Sequence, residues 1–486
     1  MHSGDAPFSV GSAAQGADKP ATVQQCHEVI DAQARQIEAL RDRLTQQDRL
    51  LAELQERMTL SSRNSSKPPS SDGPGVSRGD KHKRARRQRS RGAQRGHPGA
   101  YRQLLDQADV HAIHECAPPS HCECGAAVAV RGKPLRHQVF DVAPVAAEGN
   151  EYRLYSGVCR GCGKPHRAAL PPGVPSGQIG PRALALIGVL GTHYHLTQFK
   201  IRDLLAQMMG LSFSVGAISQ AQGKVAAALA APVAEATRAL SSASVLHMDE
   251  TTYPREGTSN NWVWAAIQPK LAVFSVLPSR ARYVIHNLIG EQPAGVVVCD
   301  RYAGYAFLDA QRRQVCWAHL IRDFRRIAQR RGTPGCVGAR LLALGYVMFR
   351  WRERGKTSAE QFEPLQRRLR KALEQGAAQT HCSRTAKTCA NVLQIWPALW
   401  GFITHPGVEP TNNAAEQALR GIVIKRKISG PTRSRRGDAF IANGFSAFES
   451  CRRQGRDFLA YMQHAVTAWI DKAPHPSFVP VAPPSG

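Results

Sequence analysis

Three acids carry the chemistry this sequence can do: Asp249, Asp300 and Glu416. Asp249 ends the apolar run Val245-Leu-His-Met, and Asp300 ends Val296-Val-Val-Cys. Each run reads as a buried β-strand. A carboxylate at the mouth of such a strand is costly unless it is hydrated, hydrogen-bonded or bound to a metal. Two of them side by side would repel by roughly 4 kcal/mol at a separation of about 4 Å and an effective dielectric of about 20. A divalent cation turns that repulsion into binding. Glu250 adjoins Asp249, but side chains alternate along a strand. Asp249 shares a face with His247, so Asp249 is the ligand chosen. The third acid must come from a helix packed under the sheet. Glu409-Pro-Thr-Asn-Asn-Ala-Ala-Glu416 opens one that Thr411 or Asn412 can cap, with Leu419 and Ile422 suited to the core. Glu416 lies in its first turns, where an acid also answers the helix dipole; Glu409 is the alternative. Oxygen donors suit Mg²⁺ or Mn²⁺, and nothing here suggests zinc in this site. Two such ions flanking a phosphate would support an in-line displacement.

The elements that must place these acids follow in order. Trp262–Ile267 and Leu271–Val276 read as strands that join the first in an antiparallel meander. Ser279–Ile289 reads as a helix, and Gly295–Cys299 as a fourth strand parallel to the first, because a helix crosses between them. Gln314–Trp317 is a fifth, running into a helix that carries His319 and Arg322 one turn apart, where they could orient the site or the phosphate. Three strands, helix, strand, helix, strand, helix is the order of an α/β ribonuclease H-like fold with a mixed five-stranded sheet. There the ends of the first and fourth strands lie side by side. The catalytic core then spans 243–329 and 406–472, interrupted by a basic helical insertion at 330–405.

Upstream, residues 1–20 are small and polar and read as disordered. Val23, Ile30, Ile37, Leu44, Leu51 and Met58 recur every seven residues, a coiled-coil seam within 21–60 that would dimerise the chain. A basic linker at 61–100 includes Lys81, Lys83, Arg84, Arg86 and Arg87, which would bind phosphates by releasing counterions. Cys124, Cys159 and Cys162, with either His121 or Cys122, have the spacing of a structural zinc site in a module at 101–172. Over 178–242 a helix stopped by Gly210 and a second helix from Val215 make the outline of a helix-turn-helix. Lys425, Arg426 and Lys427, with Arg433, Arg435 and Arg436, are further DNA-backbone candidates. The Pro-rich 473–486 reads as a disordered tail. In 486 residues, 64 Lys and Arg stand against 37 Asp and Glu, a net charge of +27 that favours nucleic acid as partner. Twelve cysteines without a secretory pattern, no membrane-length apolar run and no export signal fit a cytoplasmic chain.

The sequence resembles the transposases of the insertion sequence 66 family, bacterial enzymes of the DDE class. The likeness rests on Asn-Ser-Ser-Lys-Pro-Pro-Ser-Ser-Asp at 64–72, the cysteine module, His247-Met-Asp-Glu-Thr, Asp300-Arg-Tyr, Cys316-Trp-Ala-His319 and Asn413-Ala-Ala-Glu416. Gln417 stands where the family carries Arg. The resemblance implies cleavage and joining of double-stranded DNA at element ends, a homodimer or higher oligomer on DNA, and small accessory proteins. Two other readings share these residues: a structure-selective nuclease on the same fold, and a non-catalytic DNA-binding regulator.

Overall fold

The heptad seam forms one helix, α1 (Val23–Met58), in a computed structural model that describes residues 23–65, 103–143, 145–257, 261–379 and 382–480. The leader at 1–20 and the basic run from Lys81 to Arg87 lie outside the described residues. At 1.5 Å per residue the 36 residues of α1 reach about 54 Å. Ile30, Ile37, Leu44 and Leu51 are exposed along it, so among the described residues nothing covers the seam. The C-terminal end of α1 meets the body, where Glu56 pairs with Arg330 at 3.0 Å and Arg384 at 2.7 Å.

A short antiparallel hairpin, β1 (Ser156–Val158) and β2 (Pro165–Arg167), brackets Cys159 and Cys162. Helices α2 (Pro181–Thr192), α3 (Gln198–Met209), α4 (Val215–Ala228) and α5 (Ala230–Ala239) follow. Gly210 ends α3 at φ 66°, a left-handed turn that glycine adopts without strain, and the Ser214 hydroxyl caps α4. The helix-turn-helix outline is therefore present, but its second helix is not free. Ile218, Ala221, Gln222, Val225, Ala226 and Ala228 are buried, one face of α4 packed into the core.

The sheet contains β3 (Val245–Tyr253), β4 (Asn261–Ile267), β5 (Ala272–Leu277), β6 (Val296–Cys299) and β7 (Arg313–Val315) in the order β5-β4-β3-β6-β7. The β3–β4 and β4–β5 pairs are antiparallel, and the β3–β6 and β6–β7 pairs are parallel. Helix α6 (Arg282–Ile289) joins β5 to β6, and α7 (Trp317–Ala328) follows β7. The mixed five-stranded sheet expected from the sequence is thus present. Period-two burial divides it between two cores. Leu246, Met248, Val297 and Cys299 join a core shared with α2–α5 and with α12 (Asn413–Ser429), α13 (Arg435–Gln454) and α14 (Phe458–Asp471). Val245, Val296, Val298 and Val315 join a second core with α7 and the insertion helices α8 (Gly332–Glu353), α9 (Ala359–Ala377) and α10 (Ser383–Gln394), which the short α11 (Gly401–Thr404) closes.

The C-terminal segment departs from expectation. Residues 473–480 are not a loose tail: Phe478 is fully buried against Tyr461, and the Tyr461 hydroxyl donates to the Pro476 carbonyl at 2.8 Å. An aromatic side chain in a Pro-rich stretch is enough to dock it. Among the described residues, no helix is long and apolar enough to cross a membrane.

Candidate active site

Parallel pairing of β3 with β6 runs from Val245↔Val296 to His247↔Val298, and Asp249 and Asp300 each lie two residues beyond that last pair. The parallel ladder therefore brings both acids to the same end of the sheet. β3 itself does not stop at Asp249 as the sequence suggested. It continues to Tyr253 because β4 keeps pairing with it on the other edge. Each acid is oriented by a backbone amide. The Glu250 N–H donates to Asp249 Oδ1 at 3.0 Å, and the Tyr302 N–H donates to Asp300 Oδ1 at 2.8 Å. Behind Asp300, the buried Arg313 guanidinium donates to the Asp300 carbonyl at 2.8 Å and to Cys299 Sγ at 3.3 Å, which holds the loop.

Alternation along β3 separates the neighbouring acids as expected. Glu250 turns to the other face, where Arg280 donates to it at 2.6 Å and the Tyr305 hydroxyl at 3.3 Å. Burial and the Asp300 charge outweigh Arg280 there, and Glu250 is pushed up to about 6. Asp249 is pushed well above the ordinary carboxylate range, first by burial, then by the charges of Glu250, Asp300 and Glu416. Glu416 lies in the first turn of α12, whose Ala415, Ala418, Leu419 and Ile422 are buried. Glu409 instead faces Arg352 of the insertion at 3.9 Å.

Glu416 meets α7. Its Oε2 lies 3.7 Å from Arg322 and its Oε1 lies 3.6 Å from His319 Nδ1. That second contact is an ion pair only if His319 is protonated, and burial and Arg322 both lower its pKa. Glu416 Oε1 and His319 Nδ1 are in fact both buried without a hydrogen-bond partner. Cys316 Sγ completes a group with them, all ligand atoms within 4.8 Å of one another. Among the described residues the three acids do not themselves close to that spacing. Two orphaned polar atoms beside mutually repelling carboxylates fit a cation. The sulfur adds one softer donor beside the oxygen donors. It is already engaged, however, accepting the Asn412 N–H at 3.2 Å, and burial pushes its thiol up to about 11.

Asn412 has a different role from the one its position suggested. It stands at the start of α12 but makes no side-chain cap. Fully buried, it donates from Nδ2 to the Met248 carbonyl at 2.7 Å, and its Oδ1 lies 3.2 Å from His247 Nδ1. The residue that opens the Glu416 helix is thus fastened to the strand that carries Asp249. The Asn412-Asn413 doublet was the only signal of this, and it reads equally well as a cap. At the other end of α12, Arg426 donates to Thr252 Oγ1 at 2.8 Å and Lys425 is buried, donating to the Leu196 carbonyl at 2.7 Å. Lys425 is thus sealed beneath the connection between α2 and α3, and Arg426 is half-buried against β3, so neither lies on an open surface. Lys427, Arg433 and Arg435 are exposed.

The cysteine module forms two similar turns. The Cys122 N–H donates to Ala126 at 2.8 Å and the Gly125 N–H to Cys122 at 2.8 Å; the Cys159 N–H donates to Lys164 at 2.9 Å and the Gly163 N–H to Cys159 at 2.9 Å. Gly125 and Gly163 take φ 86° and 73°. The backbone N–H of Cys124, then its thiol, hold the Cys122 thiol below its ordinary pKa, and the backbone N–H groups of Cys162 and Gly161 do so for Cys159. His121 Nδ1 lies 3.1 Å from the Ser120 hydroxyl. The two turns do not meet as one ligand cluster among the described residues.

Among curated proteins, none matches the chain. Residues 18–103 match a family of unknown function, DUF6444, over α1 and the basic linker. Residues 176–439, from just before α2 into α13 and including Asp249, Asp300 and Glu416, match the Transposase IS66 family. With more than half its length in that match, the chain belongs to the IS66 family of transposases.

Proposed function

We propose that this transposase cuts and joins DNA phosphodiester bonds at the ends of an insertion sequence by DDE chemistry, on a ribonuclease H-like domain, with Asp249, Asp300 and Glu416 as its catalytic carboxylates. The observation that carries this reading is the parallel β3–β6 ladder that brings Asp249 and Asp300 to one end of the sheet, with Glu416 in the first turn of a helix whose start is fastened to β3. Bound by these carboxylates, a pair of Mg²⁺ or Mn²⁺ ions would activate water or a DNA 3′-hydroxyl and stabilise the leaving oxygen. The chain's own part is positioning. Backbone amides fix Asp249 and Asp300, Asn412 fastens the Glu416 helix to β3, and Arg322 offers its guanidinium to a phosphate oxygen. His319, whose pKa burial and Arg322 lower, can accept a proton at Nδ1 beside Glu416.

The rest of the chain supports DNA handling. Lys81, Lys83, Arg84, Arg86, Arg87, Lys427 and Arg435 would contact the backbone, with the strong salt dependence of phosphate binding. In the 101–172 module, Cys122, Cys124, Cys159 and Cys162 would hold a structural zinc. The matching turns around Cys122 and Cys159, each with amide-stabilised sulfur, favour Cys122 over His121. The exposed seam of α1 fits a coiled-coil dimer, as a second copy would bury it. Small accessory proteins of the element complete the assembly.

The deciding experiment incubates the full-length protein and Mg²⁺ with DNA carrying the flanks of its own gene, and maps any cut and joined ends. Cuts at the element ends that vanish in Asp249→Asn are expected. Undiminished cutting by Asp249→Asn removes these acids from the mechanism. DNA binding without cutting favours a regulator, and cutting without end preference or joining favours a structure-selective nuclease.

A further inference from the structure

A second polar site lies away from the acids. We propose that the cavity between α3, α4, α12 and α13 binds a phosphate group. It encloses about 450 Å³, enough for a phosphate with an attached sugar. Two helix N-termini open onto it: Gln198 and Phe199 begin α3, and Arg436 lies in the first turn of α13. Thr197 and Ser434 cap the amides of Lys200 and Gly437, so the earlier first-turn N–H groups have no intrahelical acceptor. The C-terminal end of α12, at Ser429, also borders the cavity and opposes an anion, but with one helix end against two.

Side chains supply the independent argument. Lys425 is 5% exposed; its ammonium donates to the Leu196 carbonyl at 2.7 Å, and among the described residues no carboxylate bears on it. Burial alone brings it down to about 8, and an anion would restore its charge. Gln222 is 6% exposed; its Oε1 accepts from Gln198 at 2.9 Å, while its Nε2 is buried with no acceptor. The Ser429 hydroxyl is likewise without a partner. Two unanswered donors and a buried ammonium thus line one cavity. Arg436 reaches in as far as Ser219 Oγ at 3.4 Å, and the one acid in the wall, Glu256, is held by Arg433 at 2.8 Å.

That DNA supplies the phosphate rests on the transposase reading; that the cavity holds a phosphate does not. The test uses the full chain, Lys425→Met and Arg436→Gln, with inorganic phosphate compared against chloride at equal ionic strength. Phosphate should raise the wild-type Tm by on the order of 5 °C at about a hundred times its dissociation constant. The effect should vanish in Lys425→Met and weaken in Arg436→Gln, which keeps the test alive should the buried substitution fail to fold. For a backbone phosphate, the slope of log affinity for duplex DNA against log salt should fall by about 0.9 in each variant. An unchanged slope, with phosphate stabilising the wild type but not Lys425→Met, assigns the cavity to a free phosphate compound and overturns DNA as its source. No stabilisation of the wild type, or equal stabilisation of both variants, overturns the site. Mg²⁺-dependent cutting by the wild type is read separately, so either idea can fail alone.

Discussion

Asp249→Asn should make the metal-free protein more stable while abolishing its chemistry. Asp249 is buried, and Glu250, Asp300 and Glu416 all disfavour its charge. One like charge at about 4–8 Å and an effective dielectric of about 20 repels by roughly 2–4 kcal/mol. Relaxation of the folded state and partial protonation reduce the net gain from removing it to about 1–2 kcal/mol, the usual scale for relieving a strained functional group. For a chain of this size that is a Tm increase of roughly 1–2 °C per kcal/mol. The sign follows from linkage. A carboxyl whose folded pKa is raised destabilises the fold once pH exceeds the unfolded value of about 3.9, and fully so above the folded one. The advantage of Asn should therefore be present at neutral pH and shrink as pH falls toward about 4. Mg²⁺ reverses the order: wild type gains about 2.7 kcal/mol at about a hundred times its dissociation constant, and the variant gains less. Thermal melts in EDTA and across a Mg²⁺ series, from acidic to neutral pH, read all of this. A variant less stable than wild type in EDTA, or a wild-type melt indifferent to Mg²⁺, refutes the repelling cluster.

Asn412→Ala should cost about 2–4 kcal/mol in urea unfolding, because the buried Met248 carbonyl and His247 lose their partner, and DNA cutting should fall with it. Cys159→Ser should lower the bound zinc of the purified chain from about one per protomer to near none, measured by metal analysis. Leu44→Asp, on the exposed seam of α1, should shift the protein to monomer in light scattering, with the melt of the body unchanged. Phe478→Ala should destabilise by about 3 kcal/mol, since it empties a fully buried aromatic site.

The strand runs, the acids at their ends and the heptad seam were legible because each is a local pattern of period two, three and a half, or a few adjacent residues. The sheet's order agreed with them. The helix from Asn413 with Glu416 in its first turn was legible for the same reason. What failed depended on neighbours distant in the chain. Asn412 looked like a cap, and only its fit against Met248 and His247, 164 and 165 residues away, makes it a fastener. Lys425-Arg426-Lys427 looked like one basic surface, yet the helix turns 100° per residue, so Lys425 is buried at the Leu196 carbonyl and Arg426 is half-buried against β3 while Lys427 is exposed. The docked Phe478 went unseen in the same way.

The chemical types and their local frames were thus set in the linear chain: oxygen donors at the ends of apolar strands, thiols at turn spacing, and cations in runs. Which of them face one another, and which are sealed from water, came only with packing. A side chain's charge state and its partners depend on the dielectric and the neighbours around it, and those belong to the folded core rather than to any stretch of sequence.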